Sequence, residues 1–378
     1  MPRTGSNIYK RKDGRWEGRY PKGRKSNGKI IYGYVYAKTY TELKKRLSTI
    51  SQEHPKVEPP TPTKIVSYVA EQWLSMMTLK VKPSTFASYD AVVKIHILPE
   101  LGNIEIRRLN TASINDFTQA KLQHGRKNKV GGELSPNTVC DILSILKGIL
   151  DYAYSEKLIE NPVRITYPKH QEKTMRVLSH AEQSVLKQVL LTDTTIYKAG
   201  ILLCLYTGLR VGEVCGLRWQ DFSPNFDKLS VCRSMRRIND ISKDGKSKTK
   251  IIIDTPKSKT SIRDIPIPKF MVPILKQFCV SDNKERYFLS TSESKLTEPR
   301  TMQNHFKRVI KEAKISDANF HCLRHTFTTA CIEANLDVKS ISEMLGHSNV
   351  NITLNRYTHS SFEQKRKCMN KLEQYLSF

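Results

Sequence analysis

The segment His321-Cys322-Leu323-Arg324-His325 sets two imidazoles four residues apart, on one side of any helix, with a guanidinium between them. Three chemistries use such residues: a metal site, a buried hydrogen-bonded cluster, or a cradle for an anion. A zinc pair needs a third ligand and favours a nearby carboxylate over a guanidinium, and the chain has no H-E-x-x-H. A hydrogen-bonded core histidine is the ordinary fate of a residue such as His325. The anion reading gains from residues elsewhere. Arg210 stands in TGLRVGE with Glu213 three residues on, within reach to hold its guanidinium, and His347 stands in LGHSN. Tyr357, in LNRYTH, follows ten residues later. Arginine forks match the two non-bridging oxygens of a phosphodiester in geometry and charge. Two guanidinium groups and two imidazoles around one phosphorus would stabilise the added negative charge of a five-coordinate transition state.

Three segments must position these groups. SNIYKRKDGRWEGRY and KIIYGYVYAKTY alternate aromatic or β-branched residues with basic ones between glycine-containing turns, which predicts a small three-stranded sheet; TELKKRLSTISQE then adds a helix. Trp16, Tyr20, Tyr32, Tyr34 and Tyr36 are expected to give this sheet a modest core and a contact surface. The proline-rich HPKVEPPTPTK is an extended linker. Helical periodicity follows in IVSYVAEQWLSMM, PSTFASYDAVVKIHILPEL, ASINDFTQAKLQ and SPNTVCDILSILKGILDYAYSE, closing at Asn161-Pro162. A basic connector, RITYPKHQEKTMR, leads to the last segment. There SHAEQSVLKQVLL predicts a helix and IYKAGILLCLYTGLRVGEVCGL one long apolar helix. LSVCRSMRR, KIIIDTP and SIRDIPIP predict an antiparallel three-stranded sheet, and mostly helical sequence continues to Leu376. The expected class is therefore multidomain and mainly α with small β, divided at 1–58, 64–162 and 174–378.

The bulk numbers narrow the partners. Among 378 residues, 63 Lys+Arg face 36 Asp+Glu, a formal net charge of +27. The first 58 residues alone hold 15 basic and five acidic residues. Such a surplus works against a compact fold by self-repulsion unless a polyanion neutralises it, so nucleic acid is the leading partner. No apolar run reaches membrane-spanning length and no signal peptide opens the sequence, which argues against lipid. The eight cysteines are scattered without C-x-x-C spacing, as expected of reduced thiols in the cytoplasm.

Taken together, Arg210 in TGLRVGE, His321 and Arg324 in HCLRHT, His347 in LGHSN and Tyr357 in YTH resemble the signature of the tyrosine recombinases, or phage integrase family, in order and separation. The resemblance covers the chain from about Ile65 to its end. The N-terminal sheet resembles the arm-site DNA-binding domain of integrases from conjugative transposons and temperate phages of Gram-positive bacteria. The resemblance implies a tyrosine recombinase fold: an arm-site domain, a helical core-site domain and a catalytic domain with a C-terminal tail. It implies site-specific integration and excision of a mobile element, with Tyr357 attacking a phosphodiester to leave a 3′-phosphotyrosyl link. Arg210 and Arg324 would grip the phosphate, His321 act as base, His347 steady the site, and Glu213 brace Arg210 or its neighbours. The family's acid is a lysine on a turn between strands. PKSKTSIRDIPI places both Lys257 and Lys259 there, and the usual Lys-Ser or Lys-Thr pair favours Lys257. No metal and no cofactor are expected, since the covalent link retains the bond energy for resealing. The implied partners are double-stranded DNA at core and arm sites and a homotetramer linked by exchanged C-terminal tails, with an excisionase and a host DNA-bending protein as further candidates. A type IB topoisomerase shares this chemistry, and a DNA-binding regulator with a dead site shares the fold. Against the first stands the separate arm-like domain; against the second, the complete residue set.

Overall fold

The computed structural model describes residues 8–24, 30–53, 64–126, 131–171, 175–240, 249–254, 262–279, 283–290, 296–347 and 349–350, and Arg366, Met369, Asn370, Leu372, Glu373 and Leu376 of the tail. Contacts divide the chain into two compact units, residues 1–80 with 92–169, and residues 81–91 with 170–378.

The first unit opens with a three-stranded antiparallel sheet in the order β1 (Ile8–Lys10), β2 (Trp16–Arg24), β3 (Ile30–Ala37), followed by helix α1 (Tyr40–Glu53). Alternation along β3 turns Tyr32, Tyr34 and Tyr36 outward, all exposed, while Ala37 is buried. Those three tyrosines thus belong to the surface and not to the expected core, and fully buried Leu43 of α1 fills the other side. The remaining helices are α2 (Val66–Lys80), α3 (Pro83–Val92), a single α4 turn (Leu98–Leu101), α5 (Thr111–His124) and α6 (Pro136–Ser155). A π-helical turn, Val93–Ile97, joins α3 to α4. Residues 81–91, most of α3, group with the second unit. Ser135 caps α6 with Pro136 in its first turn, as its Ser-Pro start predicts, and Asn110 and Ser113 form a capping box on α5. Apolar faces of α2, α5 and α6 meet in a core containing Trp73, Phe117, Ile142, Leu146 and Ile149. Lys121 is wholly buried there, its ammonium 2.5 Å from Glu100 and over the Phe117 ring.

The second unit holds α7 (His180–Leu191), α8 (Ile196–Thr207), α9 (Val211–Gly216), the strands β4 (Lys228–Val231), β5 (Ser234–Asn239), β6 (Thr249–Asp254) and β7 (Arg263–Pro266), and the helices α10 (Met271–Phe278), α11 (Pro299–Glu312), α12 (Cys322–Glu333) and α13 (Val338–Leu345). A capping box between Ser179 and Glu182 starts α7. The core gathers Leu202, Leu203, Val214 and Leu323 around an aromatic cluster in which Trp219 meets Phe288 edge-on at 5.1 Å.

Two expectations are corrected. The single long apolar helix is two helices, because Gly208 takes a left-handed conformation (φ +66°) that ends α8, and the chain runs extended through Arg210 before α9 begins. The expected three-stranded sheet is two antiparallel pairs, β4 with β7 and β5 with β6. LSVCRSMRR breaks at Cys232 and Arg233, where the Arg233 guanidinium turns aside to grip Asp221 at 2.6 Å. That carboxylate is distant in sequence, so strand periodicity alone could not show the interruption.

Candidate active site

Gly208 sets the geometry. Its positive φ closes α8 with an N–H bond to the Cys204 carbonyl, and an added Cβ would lie 2.6 Å from the Phe327 ring and 2.8 Å from Leu345. Two residues on, Arg210 occupies the position before the first turn of α9. Glu213, three residues later, folds back on it: Oε2 accepts the Arg210 backbone N–H at 2.9 Å and Oε1 accepts Nη1 at 2.8 Å. The Arg210 side chain remains 40% exposed while its carboxylate partner is hidden, so the brace leaves the guanidinium presented to solvent.

Glu213 has a second arginine. Arg263 of β7 approaches end-on, donating from Nη1 to Oε1 at 3.2 Å and from Nη2 to Oε2 at 2.9 Å. Its Nε donates to the Met344 carbonyl at 2.5 Å. Burial pushes the Glu213 carboxyl up, but the charges and hydrogen bonds of Arg263 and Arg210 outweigh it and hold the group below the usual carboxylate range. Sequence reasoning missed Arg263. A signal was present: in SIRDIPIP, Arg263 falls in the inward phase shared with Ile265 and Ile267, where a guanidinium must find buried partners.

Arg324, in the first turn of α12, is 2% exposed. Its Nη1 donates to the Gly208 carbonyl at 2.9 Å and its Nη2 to the Leu345 carbonyl at 2.8 Å. Gly346, also left-handed (φ +65°), ends α13, and its missing Cβ leaves room for the Arg263 guanidinium within about 3.2 Å of where that carbon would sit. His347 follows at once, half-buried, its N–H bonded to the Ser342 carbonyl. The loop bearing Arg210 and the turn bearing His347 are therefore tied to one buried guanidinium, that of Arg324, and through Glu213 to a second, that of Arg263.

His321 is exposed at the residue before α12, its N–H bonded to Asn319. Its ring meets that of buried His325 edge-on at 4.5 Å. Arg210 and His321 share a cleft of about 520 Å³ whose wall also includes Arg236, Arg237, Arg300 and Gln303. Arg237 is locked onto Glu298 by a fork, with Nε at 2.7 Å from Oε2. The cleft thus concentrates positive charge around one imidazole, as an anion site requires. Lys257, Lys259 and Tyr357 lie outside the described residues. Among the described residues, no group of three or more His, Cys, Asp or Glu could hold a metal ion, and no helix is long and apolar enough to cross a membrane. Burial pushes the Cys322 thiol up to about 12 and the Cys331 thiol to about 11, so both are protonated near neutrality.

In the N-terminal sheet a different surface forms. Arg19 lies over the Tyr32 ring at 4.9 Å, and Arg11 and Arg15 over Tyr36 at 5.5 and 6.0 Å. Buried Glu17 accepts from the Tyr9 hydroxyl and from Arg11 at 2.7 Å. Stacked arginines alternate here with exposed tyrosine rings on a single face.

Comparison with known proteins follows the same division. The model of the Phage integrase family matches residues 176–364, half of the chain, and that of the phage integrase N-terminal SAM-like domain matches residues 65–122. The chain is 28% identical to a tyrosine recombinase XerC-like protein of Caldanaerobacter subterraneus subsp. tengcongensis over 375 residues, covering 93% of each. It is 23% identical to the ICEBs1 integrase of Bacillus subtilis, covering 80% of this chain and 81% of that one. In fold it is similar to the Tn1549 transposon integrase in complex with transposon right end DNA (TM-score 0.65, 20% identity, 82% of this chain and 100% of that one). It is likewise similar to lambda integrase in a tetramer bound to a Holliday junction (TM-score 0.56, 17% identity, 92% and 97%). A matched family model over half the sequence, with one relative aligned along nearly its whole length, places this chain in the phage integrase family of tyrosine-type site-specific recombinases.

Proposed function

We propose that this chain integrates and excises a mobile element, a conjugative transposon or prophage, and that Arg210, Arg324, His321 and His347 form its phosphate site. The carrying observation is the double tie made by Arg324, whose two terminal nitrogens bond the loop before Arg210 and the turn before His347. In this reading the Tyr357 oxygen attacks the scissile phosphorus in line, and the bond from phosphorus to the 5′-oxygen breaks. His321 takes the phenolic proton, which an unperturbed phenol holds up to pH ~10. Lys257 gives a proton to the departing 5′-oxygen, with Lys259 as the other candidate. Arg210 and Arg324 neutralise the charge that builds on the non-bridging oxygens, and Glu213 keeps Arg210 aimed. A free 5′-hydroxyl from a partner strand reverses the step and reseals the backbone, so neither metal nor nucleotide takes part.

The domains follow as 1–58 for arm sites, 64–162 for core sites, and 174–378 for catalysis and the tail. The arginine-stacked tyrosine face of the N-terminal sheet supports the first of these roles, since stacked guanidinium and aromatic groups suit phosphate and base contact. A homotetramer on DNA, coupled by C-terminal tails, completes the proposal, with a small excisionase and a host DNA-bending protein as accessory partners. The test is a suicide substrate carrying element-end sequence, cut so that the strand beyond the scissile bond is lost. A covalent protein–DNA adduct is expected, absent in Tyr357→Phe; no adduct with the unaltered chain, or an adduct that survives the substitution, would sink the reading.

A further inference from the structure

We infer that Arg263 is a positioning residue for strand cleavage, which through one guanidinium sets both the aim of Arg210 and the turn that presents His347. The inference rests on the phosphate-site reading above and adds to it a residue outside the proposed catalytic set.

The geometry has three parts. Arg263 meets both oxygens of Glu213, the same carboxylate whose oxygens fix the Arg210 side chain and backbone. Its Nε holds the Met344 carbonyl, three residues before His347. Gly346 lies against the guanidinium, where any side chain would crowd it. A planar fork is needed to satisfy a carboxylate end-on and a carbonyl from Nε at once; an ammonium is a point charge and cannot reproduce that spread of donors. Burial is nearly complete on both sides of the pair, each side chain being 5% exposed, so solvent does not substitute for a lost contact. Arg263 also pairs with Val231 in the β4–β7 ladder, which fixes its backbone independently of the site. The residue therefore transmits the position of a rigid strand to two loops that arrive from elsewhere in the chain.

A merely structural arginine would slow every substrate alike once the fold loosened. A positioning arginine that acts through Arg210 should matter only where Arg210 has charge to neutralise. Replacing one non-bridging oxygen of the scissile phosphate with a methyl group removes that charge. The experiment compares cleavage of phosphate and methylphosphonate suicide substrates by the full chain and by Arg263→Lys, Arg263→Gln and Arg210→Ala, with thermal melting and core-site DNA binding as controls. The expected result is a loss of about 10²-fold on the phosphate for each variant, the scale of a misplaced catalytic group. On the methylphosphonate the loss should shrink to under about 10-fold. Arg263→Lys keeps the charge and decides the question if Arg263→Gln does not fold. Wild-type rates for Arg263→Lys, or equal losses on both substrates with Arg210→Ala selectively relieved, overturn the role of Arg263. Wild-type cleavage by Arg210→Ala on phosphate overturns the phosphate-site reading instead.

Discussion

Glu213 accepts from two arginines while almost wholly hidden, so its charge is held by specific partners. Glu213→Gln keeps the shape and removes that charge, leaving Arg263 buried beside a neutral amide. Breaking a buried pair in this way costs about 3–5 kcal/mol, and urea unfolding of the variant should register it. The pH dependence has a definite sign. The folded carboxyl lies below the ~4.3 of an unfolded glutamate, so its contribution is fully present above that value. It is lost as pH falls through the folded value, and the variant should lack this part of the acid limb. At this scale residue type and spacing singled out Arg210, Glu213, His321, Arg324 and His347 as candidates. The sequence hid Arg263, whose only local mark is an inward strand phase. It also hid the burial of Arg324, because the carbonyls that receive it come from residues 208 and 345.

Local signals gave the elements wherever they ended at their own residues. Ser135 with Pro136 announces α6 and is used as read, and the structure adds a Ser179–Glu182 capping box at the start of α7. Apolar periodicity failed where it ran through a break: the pattern from Ile196 to Leu217 is continuous, yet Gly208 divides it and thereby frees Arg210 from the helix. The second failure, at Cys232-Arg233, came from an aspartate outside the strand. A prediction belongs to the first break. Gly208→Ala must hold a left-handed conformation, at about 1–2 kcal/mol, and drive a methyl against Phe327. Its Tm should fall by several degrees, and strand cleavage should fall further than the loss of folded protein explains, because α8 then ends without the turn that presents Arg210. Retained cleavage per folded molecule would show that this turn does not set the site.

Across the whole molecule, charge is spread unevenly, with 15 basic and five acidic residues in the first 58. Binding carried by phosphate contacts weakens as salt rises, with a slope of about −0.9 per phosphate neutralised. Deleting residues 1–58 should flatten that slope in mobility-shift assays and abolish capture of a second DNA site while core-site cleavage survives. An unchanged slope would mean that the sheet does not touch DNA. At the other end, Met369, Leu372 and Leu376 are exposed apolar residues on a terminal segment. Removing the chain after Glu363 should leave DNA binding intact and weaken tetramer formation on DNA, as measured by crosslinking or light scattering. Composition pointed to a nucleic-acid partner from the first count, because net charge is read without any fold.

One feature of the buried arginines reaches beyond the finished protein. Arg324 fastens a carbonyl 116 positions upstream, and Arg263 spans 81 positions to Met344. While the polypeptide is still leaving the ribosome, or after a protease has clipped it before Met344, each guanidinium has its upstream partner, Gly208 or Glu213, but lacks the Leu345 or Met344 carbonyl through which it ties down the turn before His347. A shortened copy therefore holds the Arg210 loop without the turn that carries His347, and strand cleavage should be absent from it.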